Sequence, residues 1–182
     1  MMLARLARMD PTLLHPIEHG SQEAQQDMLQ LKLRDSLVRA RVALINAVRF
    51  TLKSLGYPVS NPCCVRFHKL VLNEVPESIR DMIAHKVAAI AELTERIKAL
   101  DTSISRLAAE RYPETIYLQQ VSGVGPITSL YFVLKVGNPG RFQRTRDIGA
   151  FLGLCPKRDQ SGETDKELRI PNAETDTCDV CW

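Results

Sequence analysis

Apolar residues recur at helical spacing along most of this chain. From about Gln22 to Leu55, the residues Met28, Leu31, Val38, Val42, Ile45, Val48 and Leu52 fall at steps of three, four and seven. That spacing draws one apolar stripe down a helix. Ser21 suits the start of this helix, although Ala24 stands where a capping box would place an acid or amide. Gly56 ends the run and Pro58 prevents its restart. Pro76-Glu77-Ser78 opens a second run, with Ile83, Val87, Ile90, Leu93, Ile97, Leu100, Ile104 and Leu107 spaced 4, 3, 3, 4, 3, 4 and 3. This is close to the heptad alternation of a coiled coil, with Glu92, Glu95, Arg96 and Lys98 around the seam. We read the seam as a helix-pairing surface and expect it to join protomers. Tyr57 to Asn73, broken by Pro58, Asn61 and Pro62, reads as a linker.

Pro113 closes the second run. Beyond it, Leu118 to Leu130 reads as a helix end, a tight Gly123-Val124-Gly125 turn and a new helix starting at Pro126, because glycine permits positive φ and proline suits the first helical turn. This is the helix-hairpin-helix pattern, in which the turn can approach a phosphate backbone and the amides of the next helix form an anion site. A plain turn between two helices has the same outline. Ile127 to Val136 continues the helix and Asn138-Pro139-Gly140 is a turn. Thr145-Arg146-Asp147 caps a short helix through Ile148, Phe151 and Leu152, and Leu154 to Glu163 reads as a loop. The fold class expected is mainly α: long helices with an antiparallel or coiled-coil arm, then a small helix-hairpin-helix-like domain.

Charge adds a candidate partner. The 182 residues carry a net charge of +3, a mild bias that permits nucleic-acid binding without demanding it. Its distribution says more: Lys32, Arg34, Arg39, Arg41, Arg49 and Lys53 face one acid, Asp35, and eight Lys/Arg lie between Lys135 and Arg169. Such a face is either simply solvated or suited to a phosphate backbone. The longest apolar run, Ile127 to Leu134, is too short for a membrane helix, and the N-terminus lacks a signal-peptide layout, so a cytoplasmic protein without membrane contact is expected. Five cysteines in a chain this long do not make a disulfide framework. Cys178-x-x-Cys181 is a lone pair, His15 and His19 are loop bystanders, and His85 is a surface residue, so no metal site is expected.

Several motifs in order carry a family resemblance. These are Val121-Ser122-Gly123-Val124-Gly125-Pro126, Gly137-Asn138-Pro139-Gly140-Arg141-Phe142, Asp147-Ile148-Gly149-Ala150-Phe151-Leu152-Gly153-Leu154-Cys155-Pro156 and Ser161-Gly162. Together they resemble the C-terminal domain of bacterial insertion-sequence transposases of the DEDD/serine type, the IS one-ten family. Leu3 to Arg8 and Leu13 to Ile17 resemble the region just downstream of that family's last DEDD acids. The resemblance implies a recombinase that binds DNA and a structured guide RNA, pairs through its coil, and attacks a phosphodiester with a serine. Ser161 alone matches that serine. By itself, Ser161-Gly162 would be an ordinary turn. With the basic surface past the hairpin, the expected nucleic-acid-binding residues are Gly123, Val124, Gly125, Arg141, Arg144, Lys157 and Arg158.

The resemblance also divides the chain. Residues 1–20 read as the end of a RuvC-like domain, 21–112 as the helical and coiled-coil region, 113–170 as the transposase C-terminal domain and 171–182 as an aberrant tail. The family continues with a basic helix where this chain has Ala173 to Trp182. One codon set for those ten residues, read two bases on, encodes Gly-Asn-Gly-Tyr-Leu-Arg-Arg-Leu-Leu, which is that helix, so the tail reads as frameshifted. No alternating strand pattern here rebuilds the DEDD domain. Mg2+ is accordingly expected only with that domain, and no cofactor on this chain alone. The expected function is transposition of an insertion sequence, with the chain inactive by itself and partnered by DNA, guide RNA, and a second copy or an intact transposase. The alternative is a nucleic-acid-binding or coiled-coil interaction module without catalysis.

Overall fold

The computed structural model describes Arg8, residues 20–59 and 64–154, and the backbone of 158–161 and 164–167. Two long helices dominate it. Helix α1 (Gln22–Ser54) starts where Ser21 Oγ accepts the Ala24 amide at 3.2 Å. Helix α3 (Glu77–Arg111) starts after Pro76, and the two run antiparallel. Between them lie a one-turn helix, α2 (Phe67–Leu70), and a 3-10 turn, Val71–Asn73. After α3 come α4 (Thr115–Leu118), α5 (Pro126–Val136), a 3-10 turn at Pro139–Arg141 and α6 (Asp147–Phe151). The architecture is mainly α, as the periodicity predicts. One departure is a two-stranded antiparallel hairpin, β1 (Arg158–Ser161) with β2 (Thr164–Glu167), where a loop was expected.

The seam of α3 is filled by the chain's own α1. Its buried positions are Ile83, Val87, Ile90, Thr94, Ile97, Ile104 and Ala108. A strict alternation of four and three through these residues passes over Asp101, which binds Arg34 of α1 with Nε to Oδ1 at 2.8 Å. Leu93, Leu100 and Leu107, expected in the seam, are half-buried beside it. Thr94 can take the place of Leu93 because its hydroxyl donates to the Ile90 carbonyl at 2.7 Å and so is not left unpaired. The same drift occurs on α1, where Arg41 is buried and Val42 is exposed. The register set by Arg34 and Asp101 puts Arg41 level with Thr94. Arg41 packs its alkyl stem in the seam, and its Nε has no partner among the described residues.

The later, described part of the expected linker forms a plug. Phe67, Val71 and Val75, four residues apart, are buried against Ile45, Val48 and Leu52 of α1 and Ile83, Val87 and Ile90 of α3. This closes the far end of the helical pair. At the near end, Leu130 of α5 joins Leu31, Ile104 and Ala108 in a second core, flanked by Met28, Leu107 and Tyr131. A polar clasp holds this end together. Asp27 is 3% exposed, and it accepts from Arg111 Nη1 at 3.1 Å and from the Tyr112 hydroxyl at 2.7 Å. Arg111 also reaches Glu23 at 2.8 Å.

Two outcomes are expected. Ile90 is fully buried, so Ile90→Ala should lower unfolding free energy by about 2–4 kcal/mol in urea titration, whereas Met82→Ala, at an exposed position of the same helix, should stay within about 0.5 kcal/mol. Burial, and then the bond to Asp27, pushes the Tyr112 hydroxyl from its ordinary 10.0 up to about 12. The folded state therefore keeps a proton that the unfolded chain loses first. The resulting stability is complete below pH 10.0 and is lost as pH rises toward about 12. Urea midpoints should fall across that window in the parent and fall less in Tyr112→Phe.

Candidate nucleic-acid interface

The hairpin is built from Pro113 onward by short-range bonds. Thr115 is fully buried and its Oγ1 donates to the Tyr112 carbonyl at 2.8 Å, which joins α4 to the end of α3. Ser129, also fully buried, donates to the Pro126 carbonyl at 3.0 Å and accepts from Gln119 Nε2 at 3.3 Å, which joins α5 to the end of α4. The turn between them is closed by the Val124 amide on the Val121 carbonyl at 3.0 Å. With α4 only one turn long, this is a smaller hairpin than two full helices would make.

The two glycines do different work. Gly123 has φ +89, a conformation that side chains disfavour. Gly125 is extended at φ −94 and ψ 179 and precedes α5 as its N-cap. A Cβ on either would meet nothing within 4 Å, so both present open backbone. Val124 spends its amide inside the turn. The amides of Ile127 and Thr128, in the first turn of α5, have no backbone acceptor among the described residues and are the donors this end could offer an anion.

Arg141 and Arg144 lie past the other end of α5. Eleven residues of helix separate them from the Gly123 turn, about 16 Å. The 3-10 turn carrying Arg141 is fixed by Asn138 Oδ1, which accepts the Gly140 amide at 2.9 Å. Asp147 Oδ2 accepts the Arg144 amide at 3.2 Å and fixes the next turn. The Arg141 guanidinium lies over two rings, 4.8 Å from the centroid of Phe142 and 4.4 Å from that of Phe151. The rings meet edge to face at 5.4 Å. Arg141, Arg144 and Arg146 are all exposed, and none has a carboxylate within ion-pair distance among the described residues. Sequence spacing marks neither phenylalanine as a support. The available signal is the Arg141-Phe142 dipeptide with Phe151 nine residues on, at the end of a short helix.

Ser161 and Arg158 are placed by backbone alone. Ser161 pairs with Thr164 at the turn end of the β-hairpin, and Arg158 pairs with Glu167 at its open end. Lys157, His15, His19, Cys178 and Cys181 lie outside the described residues, as does the expected aberrant tail. His85 is exposed and Cys64 is a free, half-buried thiol. Among the described residues no three His, Cys, Asp or Glu side chains stand together as metal ligands. On the helical pair, Asp27, Asp35 and Asp101 are each held by an arginine. Nor is any described helix long and apolar enough to cross a membrane.

Residues 116–175 match the profile described as Transposase IS116/IS110/IS902 family. Over 165 residues the chain is 28% identical to the transposase for insertion sequence element IS1111A of Coxiella burnetii, covering 83% of this chain. Over 147 residues it is 28% identical to the transposase for insertion sequence element IS1328 of Yersinia enterocolitica, covering 77% of this chain. The chain spans 43% of the length of each of these relatives. No solved structure matches. A helical arm followed by a compact basic segment, with these relatives, places the chain among the insertion-sequence transposases. It belongs to the IS116/IS110/IS902 transposase family.

The glycine geometry makes a testable distinction. Gly123→Ala forces a side chain into positive φ and should cost about 1–2 kcal/mol, while Gly125→Ala should stay within about 0.5 kcal/mol in the same thermal or urea measurement.

Proposed function

We propose that this chain is the nucleic-acid-binding and serine-bearing part of a transposase that moves an insertion sequence, engaging DNA and a structured guide RNA. The observation that carries the reading is the Arg141, Arg144 and Arg146 cluster, exposed, without carboxylate partners among the described residues, and inside the segment that matches the transposase family. Each phosphate that such a cation neutralises releases counterions, so binding strengthens as salt is lowered. The Gly123 turn and the free amides of α5 form a second contact about 16 Å away along the helix. In the sequence, Lys157 and Arg158 add positive charge shortly before Ser161.

In this reading Ser161 Oγ attacks a phosphodiester phosphorus. The new bond is Oγ–P, the bond broken is from phosphorus to one sugar oxygen, and the hydroxyl proton passes to a base. Mg2+ would stabilise the displaced oxygen, held by the DEDD carboxylates the family resemblance implies rather than by acids on the helical arm. The chain alone therefore does not cut DNA, and a second copy or an intact transposase is its protein partner. The α3 seam is already filled, so that partner meets another surface of the arm. A module acting through its coil alone has less support for the same reason.

Gel-shift titration of the purified chain with element-end DNA should show affinity falling steeply with salt, and Arg144→Ala with Arg146→Ala should reduce the log–log slope by about 2. Binding that ignores both salt and the double variant would overturn the nucleic-acid reading. The same mixture with guide RNA and magnesium should give no covalent adduct. An adduct that disappears in Ser161→Ala would overturn the claim of inactivity.

A further inference from the structure

We propose that Arg141, Phe142 and Phe151 form a platform on which an unpaired base stacks, with Arg144 and Arg146 taking the adjoining phosphates. This rests on the nucleic-acid reading above and narrows it to single-stranded nucleotides.

The argument begins with the side chain that is held still. A surface arginine ordinarily loses rotamer freedom when a ligand fixes it. Arg141 is already seated on two aromatic rings, at 4.8 and 4.4 Å, by turns that are themselves closed by Asn138 and Asp147. Much of that ordering is complete before a ligand arrives. Arg141 nevertheless remains an exposed residue on this seat. Phe151 is 44% exposed, although a phenyl ring at the end of a five-residue helix could be replaced by a polar residue without loss of core. A flat cation beside an open aromatic ring offers what a base offers another base: a planar face with dispersion and cation–π attraction.

A bare phosphate makes no use of Phe151. A base in a duplex is stacked on its neighbours and presents only its edge, so it cannot reach the ring. An unpaired base can, and every base has a π face with which to stack on an aromatic side chain. Arg144 and Arg146, three and five residues from Arg141, are exposed and without carboxylate partners among the described residues, and can hold the strand's backbone beside the stacked base.

Fluorescence anisotropy with the full chain tests this, using labelled oligomers of about twelve nucleotides: single-stranded RNA, single-stranded DNA, the matching DNA duplex, and a DNA strand carrying abasic sites in place of bases. Phe151→Leu keeps apolar volume and removes the π face. It should weaken single-strand binding about tenfold while leaving duplex and abasic-strand binding within about twofold. Phe142→Leu should do the same, which guards against a local effect of one substitution, and circular dichroism melts establish that both variants are folded. A greater loss with RNA than with DNA identifies the guide as the source of the base, and the reverse identifies a melted DNA strand; either supports the platform. Equal losses on all four ligands, or none, overturn the platform while leaving the nucleic-acid reading intact. Absence of binding to every ligand overturns both.

Discussion

Asp27 is the point on which the assembly of this molecule depends. A carboxylate at 3% exposure is stable only if its lone pairs are met, and two of the groups that meet it, Arg111 and the Tyr112 hydroxyl, come from the far end of α3 and the residue that terminates it. Leaving such a carboxylate unpartnered costs several kcal/mol, toward the lower end here because Arg111 is partly exposed. The bond is thus a device of register. It fixes where α1 begins relative to the end of α3, and it places Tyr112 so that Pro113, α4 and the buried Thr115 follow in a set direction. A slip of one turn in the helical pair would strand Asp27 and, with it, the bond between Arg34 and Asp101.

The hairpin and the arginine platform inherit that placement. Leu130 of α5 packs into the same cluster as Leu31, Ile104 and Ala108, so α5 is mounted directly on the helical pair rather than tethered beyond it. Its two ends then face different tasks. The N-terminal end carries the Gly123 turn and the free amides of Ile127 and Thr128. The C-terminal end leads through Gly137 to Arg141. Between the two, an apolar groove lined by Tyr117, Leu118, Phe132, Val133, Val136 and Pro139 runs along the outer face.

Much of this was legible as spacing. The limits of α1 and α3 follow from Ser21, Gly56, Pro76 and Pro113, and Pro126 opens α5 as its chemistry demands. The seam itself was less so. Choosing Leu93 over Thr94, or Val42 over Arg41, follows hydrophobicity, whereas the structure follows geometry: a strict alternation of four and three carries the buried line through a threonine bonded to its own helix and an arginine with a long apolar stem. The segment from Tyr57 to Asn73 was obscured by its prolines, although Phe67, Val71 and Val75 already stood one turn apart. At the interface, the motif around Arg141 was visible but its support was not, because a contact between Arg141 and Phe151 depends on how two turns fold back on each other. Ser161 is singled out by resemblance alone. As a residue it looks like any turn serine, and the strand pairing that places it next to Thr164 has no strong periodic signal over four residues.

The seam between α1 and α3 joins two parts of one chain, and that has a thermodynamic consequence. Pairing between separate molecules is governed by mass action and fails on dilution, whereas pairing within a chain has an equilibrium constant that contains no concentration. The first copy of this protein made in a cell therefore has its arm folded and its basic segment mounted. Its helical pair is assembled while it is still the only one.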